Sequence, residues 1–181
     1  RDVAYDCMAL ISYWRSPDMT QPDEPCLEFL VIDVANAFKL VPAHPDERKW
    51  LGAAIQGIVC IYLVLVFGLK SAPLIWARIM ALIARLTQGL LHPMEARLSV
   101  YIDDPILACG GPSAARTRAI AVVLLFWGAL GLPLAWHKAM IGQSVNCIGA
   151  SVTHAENHIC LEIEAAKAQR AINFMRKYLK L

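Results

Sequence analysis

Charge is scarce in this chain. Only 18% of its 181 residues are Asp, Glu, Lys or Arg, against about 25% in ordinary soluble domains. Seventeen basic residues against fifteen acidic ones leave a net charge of +2, too weak a balance to argue for a nucleic-acid partner by itself. No two of the six cysteines have C-x-x-C spacing, and no histidine stands close enough to complete a zinc pattern. The chain is too long and too apolar to need disulfide staples. Buried free thiols in a reducing intracellular compartment (cytoplasm or nucleus) are therefore expected. No charged, apolar, small-residue series resembling a signal peptide opens the sequence; it starts at Arg1, as a piece cut from a longer chain would. The ten Gly and ten Pro are scattered, which excludes low-complexity and collagen-like chains. Apolar residues are what the sequence does have: 57% are hydrophobic, against about 45–50% in ordinary domains. That excludes disorder and leaves a core-rich globular domain or a membrane protein.

Two stretches carry no charge, residues 51–69 and 119–136, and each has the minimum length for a bilayer span. Their texture favours the globular class. In the first, Gln56-Gly57 separates two short runs, the second dense in β-branched and aromatic residues. This predicts a hairpin lying against a sheet, with Cys60 and Tyr62 on one side by the period of two. In the second, Gly128, Gly131 and Pro133 end the helical part near Leu130. A helix of that length, apolar nearly all round, reads as buried in the core.

The remaining pattern is mixed. Three prolines and three acids make residues 16–25 a loop. Residues 27–33 (LEFLVID) read as a buried strand ending in an acid. Pro73 suits the first turn of a helix over 71–88, with Gly89 as its stop. Short strands over 98–102 and 106–109 flank Asp103-Asp104, and Ser113 caps the helix that follows. Residues 135–141, 145–152 and 158–163 read as strands, and 165–178 as a final helix with Ala168, Ile172, Met175 and Leu179 on one face. Strands in hairpins rather than regular βαβ units predict an α+β fold with an antiparallel sheet packed on helices.

A carboxylate among buried aliphatic residues is costly unless it is paired or binds a metal. Asp33 ends an apolar strand, and the adjacent acids Asp103 and Asp104 repel unless a cation lies between them. Hard oxygen ligands select Mg²⁺ or Mn²⁺, and phosphoryl or nucleotidyl transfer by two metals is the natural chemistry. The run Tyr101-Ile102-Asp103-Asp104 resembles the Y-x-D-D signature of reverse transcriptases. Other blocks of that family follow in its order. Asp33-Val34-Ala35-Asn36-Ala37-Phe38 resembles D-x-x-x-A-F, and Phe67-Gly68-Leu69-Lys70-Ser71-Ala72-Pro73 resembles F-G-L-x-x-A-P. Gly131-Leu132 followed by Lys138 resembles the fourth block, and Cys147-Ile148-Gly149 the strand turn of the fifth. The likeness covers roughly residues 27–152.

The resemblance implies a polymerase palm with partial fingers, acting as an RNA-directed DNA polymerase on a primer–template and dNTPs. It implies two Mg²⁺ (or Mn²⁺) ions on Asp33, Asp103 and the Val34 carbonyl, with Asp104 supporting. Asn36 and Ala37 would offer backbone N–H groups to the phosphates. Phe38 would lie under the sugar and exclude a 2′-hydroxyl, and Phe67 and Gly68 would floor the base. Lys138 is implied as a general acid at the pyrophosphate, and Tyr101, Ile102, Ile148 and Gly149 as the residues that position the primer end. Lys70, Arg78 and Arg85 recur at spacings of eight and seven on the motif helix, which suits a template phosphate track or a plain solvated face.

The family usually carries a longer basic fingers region than the 32 residues before Asp33. Val66 stands where Pro is common, and Pro105 follows the acid pair where a β-branched residue is usual; its missing N–H calls for an edge or a bulge. The expected division is partial fingers over 1–26 and 39–75, palm over 27–38 and 76–163, and a helix over 164–181 leading toward a thumb. The partners expected beyond the chain are the remaining fingers, the thumb and a ribonuclease H segment of a longer retroelement polyprotein. Two rivals stay open: an inactive polymerase-like domain of a decayed retroelement, and a two-span membrane protein.

Overall fold

The strand at the centre of the molecule is apolar on both sides because both of its faces are covered. The structure, a computed structural model, describes residues 3–15, 27–155 and 158–179; the loop expected over 16–25 lies outside them. Strand β1 (Leu27–Val31) lies between β5 (Asp104–Gly110) and the short β6 (Met140–Gly142), and β4 (Ala96–Tyr101) completes the sheet in the order β4-β5-β1-β6. All pairs are antiparallel. The period of two sorts the strand residues into two cores. Leu30, Leu107 and Cys109 face helices α2 (Ala72–Leu90) and α3 (Ser113–Ala129), with Trp76, Met80, Val123 and Trp127. Leu27, Phe29, Val31, Ile106 and Ala108 face helix α1 (Val3–Trp14) and a second sheet, whose Val145 and Val152 join that core.

The second sheet is a meander of β7 (Ser144–Cys147), β8 (Ala150–Ala155) and β9 (His158–Ile163), followed by α4 (Ala165–Leu179). The stretch expected as one strand over 145–152 is thus two, because Ile148 and Gly149 turn the chain with positive φ at both positions, the geometry of a tight hairpin. Residues 135–141 are likewise not a single strand. Trp136–Lys138 forms a 3-10 turn before β6 begins. The first expected strand ends at Val31, two residues short of Asp33.

Residues 51–69 form the expected hairpin, β2 (Gly52–Ile55) and β3 (Ile58–Ile61), turning at Gln56-Gly57 with positive φ at both. It does not lie against the main sheet. Its two strands form a sheet of their own, and β3 is exposed at every position, Cys60 included, with Tyr62 beyond its end. Only its base is tied, by bonds from Ala43 N to Leu63 O and from Leu65 N to Val41 O. Among the described residues no helix is long and apolar enough to cross a membrane.

Helix α3 buries one stripe, Arg116, Ala119, Val123 and Trp127, while Leu125 on the far side is exposed, so it is a layer helix rather than a fully buried one. The apolar face expected on α4 buries nothing. Cys7, Cys109 and Cys147 are buried free thiols and Cys160 is half-buried.

Candidate active site

Register decides which residues meet. In the β1 ladders Val31 stands opposite Ile106 on one side and Met140 on the other. Continuing the β5 register two residues past Val31 brings Asp33 level with Asp104; on the other flank the register shifts beyond Met140, and Asp33 stands opposite Ala135, three residues before Lys138. The backbone secures this arrangement just beyond the strand. Val34 and Leu134 form an isolated antiparallel bridge, flanked by bonds from Ala35 N to Pro133 O (2.7 Å) and from Ala135 N to Asp33 O (2.9 Å). The bonds on either side of the Val34–Leu134 pair mark it as non-hydrogen-bonded, so the N–H and C=O of Val34 point away from that segment.

Asp103 arrives on the β4–β5 hairpin, whose two-residue turn is Ile102-Asp103 between the paired Tyr101 and Asp104. Ile102 has φ 56°, a left-handed conformation that costs a β-branched residue of order 1–3 kcal/mol. Ile148, in the turn that leads to β8, repeats this with φ 52°. Pro105 has the expected edge, locally, and no bulge. It pairs with Val100 in regular register, and β1 ends opposite Ile106, so no ladder partner on that side needs its missing N–H.

Asp33 and Asp103 line one cleft of about 340 Å³ together with Val34, Ala35, Asn36, Ala37, Phe67, Ala135, His137 and Lys138. Lys138 Nζ donates to Asp33 Oδ2 at 2.9 Å across 105 residues of sequence. The bond and the Asp33 charge hold the Lys138 ammonium above its ordinary pKa. Asp104 stands beside them, close enough for its charge to act on Lys138. It lines a different cleft, with Val3, Ser99, Val100, Tyr101, Ile106 and Ile148. Its carboxyl is pushed above the usual carboxylate value, first by burial and then by the charges of Asp103 and Asp33. Burial rather than mutual repulsion is thus the larger cause. The Cys147 thiol is driven up to about 11 by burial, with Asp104 and Asp33 adding to it. No group of three or more Asp, Glu, His or Cys side chains able to hold a metal occurs among the described residues.

Asn36 has φ 57° and leads into a 3-10 helix, Ala37–Leu40. This turn sends Phe38 inward instead of into the cleft. Phe38 is 8% exposed and packs edge-on against Phe67 at 5.0 Å between ring centroids, while Phe67 is 75% exposed and lines the cleft. Gly68 follows with φ 94°. Lys70 precedes α2 by two residues, so only Arg78 and Arg85 of the expected basic stripe lie on the helix; all three are exposed. Gly149 borders a separate cleft of about 440 Å³, where Lys167 of α4 donates to its carbonyl at 3.5 Å. His137 was not among the residues singled out in the sequence. Only the 3-10 turn, which has no clear sequence signature, brings it to the cleft.

A family model for reverse transcriptase (RNA-dependent DNA polymerase) matches residues 12–152. The chain belongs to the reverse transcriptase family. It is similar to the Gag-Pro-Pol polyprotein of squirrel monkey retrovirus, 24% identical over a match that covers 84% of this chain and 9% of the polyprotein. The chain thus spans about a tenth of that relative's length. The fold is similar to that of the foamy viral protease–reverse transcriptase in complex with an RNA/DNA hybrid, with TM-score 0.61, 17% identity and coverage of 81% of this chain and 18% of that one. A form of it in complex with double-stranded DNA gives TM-score 0.64, 16% identity and coverage of 81% and 24%. The sheet that carries Asp33 and Asp103 is accordingly a polymerase palm.

Proposed function

We propose that this chain carries the polymerising centre of an RNA-directed DNA polymerase, which adds deoxynucleotides to a primer on a nucleic-acid template. One observation carries the reading: Asp33, Asp103 and Lys138 meet at a single cleft in a chain of the reverse transcriptase family. The donor set suits Mg²⁺ or Mn²⁺, with hard oxygens from two carboxylates and the outward Val34 carbonyl. Mg²⁺ in polymerases takes one or two carboxylates and completes its shell with water and substrate phosphates, so a third protein carboxylate is not required. Two ions held by Asp33, Asp103 and Val34 would activate the primer hydroxyl and neutralise the triphosphate.

The chain's own residues do the rest. Asp104 supports the site by adding negative potential from its own cleft. The backbone N–H groups of Asn36 and Ala37 bind the phosphates. Phe67 and Gly68 form the floor under base and sugar, and Phe38 acts through Phe67 by bracing it. Lys138 Nζ gives a proton to the departing pyrophosphate. The turns at Tyr101-Ile102 and Ile148-Gly149 seat the primer end, while Lys70, Arg78 and Arg85 follow the template phosphates. Residues 27–38 and 76–163 make up the palm and 39–75 part of the fingers. The remaining fingers, thumb and ribonuclease H segments would come from a longer polyprotein of a reducing intracellular compartment. The test is RNA-templated primer extension by the native protein with dNTPs and Mg²⁺. Extension by the wild type, and a loss of about 10³-fold or more in Asp103→Asn, supports the reading. No extension with Mg²⁺ or Mn²⁺ overturns it in favour of a decayed copy.

A further inference from the structure

The Lys138–Asp33 pair is not a chance meeting of surface charges. Asp33 holds the Lys138 segment through its own backbone, since its carbonyl accepts from Ala135 N at 2.9 Å, and the Ala135 carbonyl in turn accepts from Lys138 N at 2.9 Å. The side chain then closes the loop by donating to Asp33 Oδ2. Among the described residues lining this cleft Lys138 is the only Lys or Arg, Asp33 and Asp103 are the acids and His137 is the other titratable group. The charge of Asp104 reaches Lys138 as well. A site built to hold divalent cations is left with concentrated negative charge when it is empty, and adjacent carboxylates cannot all stay ionised cheaply without a counter-ion. The ammonium supplies that counter-ion from the chain itself. Its long stem leaves it largely exposed, free to leave without disturbing packing.

We propose that Lys138 is a resident counter-ion that competes with the divalent metal for Asp33, so that metal entry and release of the Lys138 ammonium are one exchange. The inference rests on the metal reading above and adds a regulation of that site. An ammonium and a divalent ion repel when they share one carboxylate, so whichever binds weakens the other. The exchange has a consequence for order. The amine becomes available to the incoming phosphates only once the metal has displaced it, which ties its use in proton transfer to a loaded site.

The experiment measures Mn²⁺ binding to the native protein by electron paramagnetic resonance, without nucleotide or nucleic acid. The site is defined as the bound Mn²⁺ that disappears in Asp33→Asn. Lys138→Met should bind Mn²⁺ at that site about fivefold more tightly than wild type, the scale of one exposed ion pair. Lys138→Arg, which restores the charge, should return toward wild-type affinity. Equal or weaker binding in Lys138→Met overturns the counter-ion role and leaves the metal reading standing. Absence of any Asp33-dependent Mn²⁺ in both wild type and Lys138→Met overturns the metal reading itself, and the exchange with it.

Discussion

A buried polar contact joins the two helices beneath the sheet, and its removal can be worked through in numbers. Thr87 of α2 and Trp127 of α3 are both essentially without solvent exposure. The Trp127 indole N–H donates to Thr87 Oγ1 at 2.9 Å, and that hydroxyl donates to the Ile83 carbonyl at 2.8 Å. Thr87→Val keeps the shape and creates no cavity, but it leaves the indole N–H buried without an acceptor. The Ile83 carbonyl loses only its second bond, since the backbone N–H four residues on still reaches it. The cost is therefore that of one stranded donor, about 1–3 kcal/mol, which lowers Tm by roughly 3–9 °C in a chain of this size. Thr87→Ser is the control: it keeps the hydroxyl and loses one buried methyl, worth about 0.8 kcal/mol. Urea denaturation of the three proteins gives the comparison. A Thr87→Val unfolding free energy within about 0.5 kcal/mol of wild type would show that the indole finds another acceptor and would refute the stranded-donor cost.

Other expectations follow from close contacts and strained turns. A Cβ at Gly110 would lie 2.8 Å from Trp14 Cδ1 and 2.9 Å from its Nε1, while that indole donates to the Met94 carbonyl. Gly110→Ala should therefore push α1 outward and cost about 1–3 kcal/mol in denaturant titration; wild-type stability would mean Trp14 moves freely. Ile148 is 57% exposed and strained at φ 52°, so Ile148→Gly should raise stability by up to about 1 kcal/mol while impairing primer extension, and a loss of stability would refute the strain. Phe38→Ala should cost about 3–5 kcal/mol as a core truncation; Phe67→Ala should leave stability nearly unchanged and weaken dNTP binding, as read from KM. The Cys109 thiol is raised to about 12 by burial, so at pH 8 only about one molecule in 10⁴ carries the thiolate. The folded protein should alkylate at Cys60 well before Cys109 and Cys147, as mapped by mass spectrometry, with Cys109 reacting only once the chain unfolds or the pH nears 12.

The parts of the fold that were legible in the sequence are those in which one residue type is forced by one local geometry. Gln56-Gly57 marks a hairpin because both positions need positive φ, and the apolar run of β1 marks a strand covered on both faces. The acids of the two motif turns stood out through the adjacency of Asp103 and Asp104 and the likeness of both turns to family motifs, since a lone acid at a strand end, such as Asp33, is ordinarily a chain turn. What could not be read is which way a side chain points once a turn has been made. Ile102 takes the left-handed conformation, against its own preference, and so makes the two-residue turn that carries Asp103. The 3-10 turn after Asn36 packs Phe38 into the core beside Phe67, and the one at Trp136–Lys138 brings His137 to the cleft of Asp33 and Asp103. Exposure was equally hidden. β3 and α4 have the apolar patterns of buried elements, yet neither is covered among the described residues, because pattern states what an element can bury and not what is there to cover it. The Arg116–Glu28 pair at 3.3 Å, which ties the first turn of α3 to β1 across 88 residues, has no sequence signature at all.

The central claim is that segments far apart in sequence form one metal-holding cleft. Iron-directed cleavage of the native protein tests it most directly. Fe²⁺ replaces Mg²⁺ on oxygen ligands, and with ascorbate and peroxide it cuts the backbone only beside the bound ion. A shared ion gives three sets of fragments from a single sample, with ends near residues 33–36, 101–104 and 134–138, all suppressed by excess Mg²⁺ and absent in Asp33→Asn. Cleavage at one of these segments without the others, or cuts that persist in Asp33→Asn, would contradict it.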